Sequence, residues 1–166
     1  MRKIVDDAIV QLCEAFEQGG YNPTPIIDLG VLVASADGKV DEREREMLLD
    51  VFQTLLGTTL TAEVVDHLIT ASVEVIEAAG VESRARLIAS ILKDCDAVEP
   101  GVKVALALSF ASQGLTKAEA KVVERIASEG GMSPARLAQL TAELREHADP
   151  DPVSVRNTIA PRVPEG

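Results

Sequence analysis

The feature that most constrains this chain is a repeat at one fixed offset. Pro25, Ala36 and Glu44 are followed 75 positions later by Pro100, Ala111 and Glu119, and Val40, Met47 and Val51 are followed at the same spacing by Leu115, Val122 and Ile126. Agreement in position as well as chemistry means that one helix-turn-helix unit is used twice. Any admissible fold must then build two equivalent halves. In each unit a nearly all-apolar run, Ile26 to Ala36 and Val102 to Ala111, enters a turn that launches an amphipathic stretch. A helix that is apolar all round belongs inside a protein, so these two runs are expected to lie centrally.

Elsewhere apolar residues recur at helical spacing. Val65, Leu68, Ile69, Ser72, Val75 and Ile76 form one stripe, and Leu87, Ile88, Ile91, Leu92 and Cys95 form another. Helix starts are marked by Thr24 before Pro25, Asp41 with Glu44, Thr61 before Ala62, Thr116 with Glu119, and Ser133 before Pro134. Gly19-Gly20, Gly57, Gly80 and Gly130-Gly131 supply the breaks. The pattern predicts helices over 2–17, 25–36, 42–56, 62–78, 83–95, 100–112, 117–129 and 134–147, with no strand or hairpin. The expected fold is all-α, one compact helical domain of about seven to eight helices over residues 1–147, with halves about 1–80 and 81–147. Past His147, the stretch Ala148-Asp149-Pro150-Asp151-Pro152 and the later Pro161 and Pro164 forbid continued helix, so 148–166 is expected to be a disordered Pro-rich tail.

A chain of 166 residues can bury about 70% of its unfolded surface, so its core needs no metal or disulfide staple. Net charge of -11 argues against a nucleic-acid-binding surface, which requires clustered Lys and Arg to replace phosphate counterions, so no nucleic acid partner is expected. Three Phe, one Tyr and no Trp leave no platform for base stacking. Cys13 and Cys95 sit singly in apolar helical patterns and read as small core side chains, while His67 and His147 fall on polar faces. Asp6 and Asp7 interrupt the N-terminal apolar run, which argues against a signal peptide. The longest uncharged run, Val104 to Thr116, is too short to span a bilayer, and a cytoplasmic location is expected.

The acids are not evenly spread. Asp37, Asp41, Glu42, Glu44 and Glu46 fall within ten residues, and hard carboxylate oxygens are what Mg2+ and Ca2+ select. This is no EF-hand, because counting from Asp37 the third position is Lys39 and the sixth is Glu42. Architecture offers a competing account: Asp37-Gly38 as a turn, Asp41 as a helix cap, and Glu44 as the return half of a capping box. A second group, Asp94, Asp96 and Glu99, reads either as a solvated helix end and helix entrance or as further donors for a cation near Asp37. There is no nucleophile elbow and no phosphate-cradling glycine loop, so an enzyme is not expected.

With the apolar helix, the acidic helix entrance and the repeated halves in view, residues 25 to 145 resemble the tellurite-resistance TerB-like family. The strongest local match is Ala34-Ser35-Ala36-Asp37-Gly38-Lys39-Val40-Asp41-Glu42-Arg43-Glu44, similar to that family's Ala-Asp-Gly turn and Glu-containing helix start. The resemblance implies an all-helical, acidic, non-enzymatic protein associated with tellurite resistance and stress response. It also implies divalent-metal binding by Asp37, Asp41 and Glu44, with Glu42 as a weaker addition. In the second copy Ser112 and Gln113 stand where acids could be, the glycine moves to Gly114, and Thr116 replaces Asp41, so only Glu119 survives. Two functions remain in competition: weak binding of Ca2+, Mg2+ or Mn2+ at the first turn, or a metal-free acidic module that docks a basic or membrane-bound protein partner.

Overall fold

A computed structural model describes residues 2–20, 24–37, 40–56, 61–112 and 115–148. Of the tail expected over 148–166, Ala148 instead ends the last of the helices and the rest lies outside the described residues, as do Gly38 and Lys39. Eight α-helices are found among the described residues: α1 (Arg2–Gln18), α2 (Thr24–Ala34), α3 (Glu42–Leu56), α4 (Ala62–Ala79), α5 (Val81–Asp94), α6 (Val98–Ser112), α7 (Lys117–Glu129) and α8 (Pro134–Ala148). A single 3-10 turn, Ser35–Asp37, ends α2. Among the described residues there is no strand, and no helix is long and apolar enough to cross a membrane.

Three helix starts lie earlier than the sequence pattern places them, α2 by one residue and α5 and α6 by two. Helix α5 begins directly after Gly80, whose φ of 92° and ψ of 150° turn the chain within one residue. That backbone region is essentially closed to residues with a Cβ, so Gly80 alone does the work expected of a longer loop. Helix α6 begins at Val98 and carries Pro100 in its first turn, where a helix N–H has no intrahelical partner and proline is tolerated.

The two apolar runs do lie centrally. Ile26, Ile27, Leu29, Val31 and Leu32 of α2 and Val102, Val104, Ala105, Leu106 and Ala107 of α6 are all at most 1% exposed, and the two helices pack on one another. Around them the halves interleave. Helix α1 packs on α6 of the other half, as α5 packs on α2, while α4 lies on α2 as α8 lies on α6. Exchanging the halves therefore preserves the packing pattern, which amounts to an approximate two-fold relation about the α2–α6 contact.

The outer stripes need one correction. Val75 is 41% exposed and Leu87 is 44% exposed, although both belong to apolar stripes in the sequence. The buried arc of α5 is Ala85, Ile88, Ala89 and Leu92. Leu87 points roughly 150° from the centre of that arc at 100° per residue. Small alanines, which carry little weight in a hydrophobic pattern, face the core and allow close approach to α7 and α2. Cys13 and Cys95 are half-buried against the core, as expected of packing side chains. Burial is the first cause that pushes both thiols up, with Glu14 and Glu17 adding at Cys13 and Asp94 at Cys95.

Candidate functional site

The acidic turn joins the C-terminal end of α2 to α3. At its far side Asp41 and Glu44 make a complete capping box: the Glu44 N–H donates to Asp41 Oδ1 at 2.8 Å, and the Asp41 N–H donates to Glu44 Oε1 at 3.0 Å. The echo repeats it. There the Glu119 N–H donates to Thr116 Oγ1 and the Thr116 N–H donates to Glu119 Oε1, both at 3.1 Å. Since threonine performs the capping in the second copy, architecture does not require an acid at position 41.

Helix geometry divides the four candidate ligands. Glu42 and Glu44 lie two positions apart, roughly 200° around the helix, so their carboxylates face opposite ways. Asp41 and Glu42 are exposed, whereas Glu44 is 8% exposed and Glu119 is 3% exposed. Both buried glutamates line one small space of about 10 Å3, together with Gly30, Val33, Ala34, Leu108 and Ser109. Three repeat pairs meet there, Val33 with Leu108, Ala34 with Ser109, and Glu44 with Glu119, so the approximate two-fold axis passes through it. The positive end of a helix favours each buried carboxylate. Asp37 ends the 3-10 turn, and its side chain lies outside the described residues.

What the first copy adds is confined to the outside. Asp41 and Glu42 occupy the positions held by Thr116 and Lys117 in the second copy, so the repeat replaces a neutral and a basic residue with two exposed acids. Their carboxylates are the right donor type for a hard divalent cation, and an open surface leaves room for several waters in its shell. Among the described residues no group of three or more His, Cys, Asp or Glu side chains is placed to hold a metal.

Two members of the second acidic group, Asp96 and Glu99, take part in the architecture. Asp96 takes a φ of 53° in the turn after α5. The Ala97 N–H donates to Leu92 O at 2.8 Å and the Asp96 N–H to Lys93 O at 3.1 Å, the double closure of a Schellman motif with aspartate in the left-handed position. Glu99 is held by Arg136 of α8 through Nε at 3.0 Å and Nη2 at 2.5 Å. Hydrogen bonding to Arg136 is the first cause that lowers the Glu99 pKa. His67 is exposed, as its sequence position implies, and the side chain of His147 lies outside the described residues.

One feature of the surface was not anticipated. In the first half Arg45 straps α3 to α4, with Nη2 donating to Asp66 Oδ1 at 2.8 Å, Asp66 O at 3.3 Å and Thr70 Oγ1 at 2.5 Å. The equivalent positions in the second half are Ala120, Thr141 and Arg145, and Thr141 Oγ1 instead donates to Leu137 O at 2.8 Å. Phe52 is likewise replaced by Ala127. Where Ala120 and Ala127 stand in place of Arg45 and Phe52, an open groove of about 610 Å3 lies between α7 and α8. The repeat offset that aligned the turns also aligned Phe52 with Ala127, so a signal for this difference was present in the sequence.

The family model described as "Tellurite resistance protein TerB" matches residues 24–142, a span that includes both turns and both central helices. No curated protein and no solved structure shows a match to the chain.

Proposed function

The chain belongs to the TerB family of tellurite-resistance proteins, and from that membership we propose that it is a non-enzymatic cytoplasmic stress protein whose acidic turn binds a divalent cation weakly. The observation that carries this reading is the placement of Asp41 and Glu42. Both are exposed at the entrance to α3, where the otherwise parallel second copy has Thr116 and Lys117. Asp37 is the third donor in this reading. Glu44 acts through the cap, holding the backbone of Asp41 in place. An open site of this kind suits Ca2+, Mg2+ or Mn2+ with much of its water retained, at dissociation constants on the order of 10⁻⁴ to 10⁻³ M. Bound metal would neutralise the acids of the turn and present a cation at the surface.

The test exploits the repeat. The double variant Asp41→Thr with Glu42→Lys copies the second turn, so the cap survives while the surplus acid is removed. Titration calorimetry of the untagged protein with Ca2+, Mg2+ and Mn2+ should show binding heat that the double variant loses at an unchanged melting temperature. Equal heat in both proteins would defeat the proposal.

The second reading, a metal-free module that docks a basic or membrane-associated protein, is favoured by the acids left exposed along α3 and α4. Glu42, Glu46, Asp50, Glu63, Glu74 and Glu77 are all exposed. Such docking weakens as salt screens the charges. Capture of a partner from native lysate at low salt, beyond that of a charge-matched control, and its loss at moderate salt would support it; capture equal to the control would count against it.

A further inference from the structure

We propose that the groove between α7 and α8 binds a medium-chain fatty acid, with the alkyl chain in the groove and the carboxylate on Arg145. The inference does not rest on cation binding at the first turn. Leu106, Leu115, Val123, Ala127 and Leu137 supply an apolar lining, and a volume of about 610 Å3 falls in the range of small-molecule clefts. Leu115 and Leu137 are only partly buried, and Ala138 and Ala142 of α8 are exposed, so the groove is reached from solvent. The first half shows what the second half lacks. There the ring of Phe52 is completely buried, and the Arg45 guanidinium meets the Asp66 carboxylate at 2.8 Å. The second half has Ala127 and Thr141 at the positions of Phe52 and Asp66, so both an apolar body and a carboxylate are missing. A fatty acid supplies the two together.

The guanidinium itself is kept but comes from the other helix. Ala120 stands at the position of Arg45, and Arg145 stands at that of Thr70, whose Oγ1 accepts from Arg45 Nη2 at 2.5 Å. Arg145 lies over the Phe110 ring, 5.6 Å from its centroid. It has no carboxylate partner among the described residues, unlike Arg45, Arg84, Arg125 and Arg136. Stacking uses the face of a guanidinium and leaves the N–H fork along its edge for a bidentate carboxylate. Length and charge narrow the ligand further. The groove follows α8 from Leu137 to Arg145, about 12 Å at 1.5 Å per residue. An extended chain advances about 3.5 Å for every three bonds, so about ten carbons match that length. Glu124 on the α7 wall and the net charge of -11 disfavour a polyanion or a second copy of this chain, and favour a single carboxylate on an uncharged body.

The experiment titrates the isotope-labelled full chain with sodium decanoate below its micelle concentration and follows amide shifts by NMR, with EDTA present so that no divalent cation takes part. Saturable shifts are expected at groove residues such as Ala127, Leu137 and Ala142. Octanoate should bind about tenfold more weakly, because two fewer methylenes are buried. Arg145→Gln should weaken decanoate about three- to five-fold and leave decanol, which has no carboxylate, unchanged. Ala127→Phe, which copies the first half, should abolish binding of both. Shifts that do not saturate, or that spread over the whole surface, would overturn the proposal by showing no site. Decanoate and decanol responding alike to Arg145→Gln would overturn it by showing an apolar groove that does not select a carboxylate. Because Arg145 is exposed, its substitution decides the matter whether or not Ala127→Phe folds.

Discussion

Replacing Gly30 by alanine should change the sign of its effect on stability according to what stands at position 52. A Cβ on Gly30 would lie 2.9 Å from Phe52 Cζ, 3.2 Å from Leu48 Cδ2 and 3.3 Å from Leu108 Cδ1. Phe52 is completely buried, so its ring has little room to retreat. Alanine gains about 1 kcal/mol over glycine in a helix interior, but overpacking a filled core costs about 1–3 kcal/mol. Gly30→Ala alone is therefore expected to destabilise by about 1 kcal/mol. Phe52→Ala alone removes a buried ring and should cost about 3–5 kcal/mol. In that background the 2.9 Å contact is gone, the two leucine branch ends can yield by tenths of an ångström, and Gly30→Ala should stabilise by about 0.5–1 kcal/mol. The double variant reproduces the Ala105 and Ala127 pair of the second half. Urea unfolding of the four proteins reads the result: with m about 2 kcal/mol per M, each kcal/mol moves the midpoint by about 0.5 M. Gly30→Ala shifting the midpoint equally, and in the same direction, in both backgrounds would refute the claim that Phe52 fills the space above Gly30.

Other substitutions test separate parts of the fold. Gly80→Ala should destabilise by about 1–3 kcal/mol, because φ of 92° with ψ of 150° strains any residue with a Cβ; thermal unfolding that matches the parent would contradict this. Leu87→Glu on the outer face of α5 should leave the stability from urea unfolding within about 0.5 kcal/mol of the parent, whereas Ala89→Leu on the buried face should lower stability by about 1–3 kcal/mol. Removing the Arg45 strap with Arg45→Ala should lower stability by about 1 kcal/mol, since its partners Asp66 and Thr70 are largely solvated, and the same assay reads the change. Arg136 holds the Glu99 carboxyl below its ordinary pKa, so this pair contributes stability above the unfolded value near 4.5 and loses it as pH falls through the lower folded value. Glu99→Gln should accordingly flatten the fall in melting temperature between neutral and acid pH, and an unaltered slope would show that the pair is not a source of acid sensitivity.

Much of the architecture was legible before any coordinate. The 75-residue offset located two equivalent turns, the apolar runs identified the central helices, and the Asp41/Glu44 and Thr116/Glu119 patterns named both capping boxes. These features share a physical reason: each depends on groups within one or two helical turns of each other, so spacing along the chain is spacing in the structure. The candidate site was legible only in part. Its acids could be counted, but they appeared as one set until the helix turned Glu44 inward and left Asp41 and Glu42 outside. Interleaving of the halves, exposure of Leu87 and the meeting of Glu44 with Glu119 at one buried space were decided by tertiary structure alone, because they depend on residues brought together from distant parts of the chain. The same holds for the α7–α8 groove. Ala120 and Ala127 are ordinary helix residues in sequence, and they become an opening only because packing sets them where the other half holds Arg45 and Phe52.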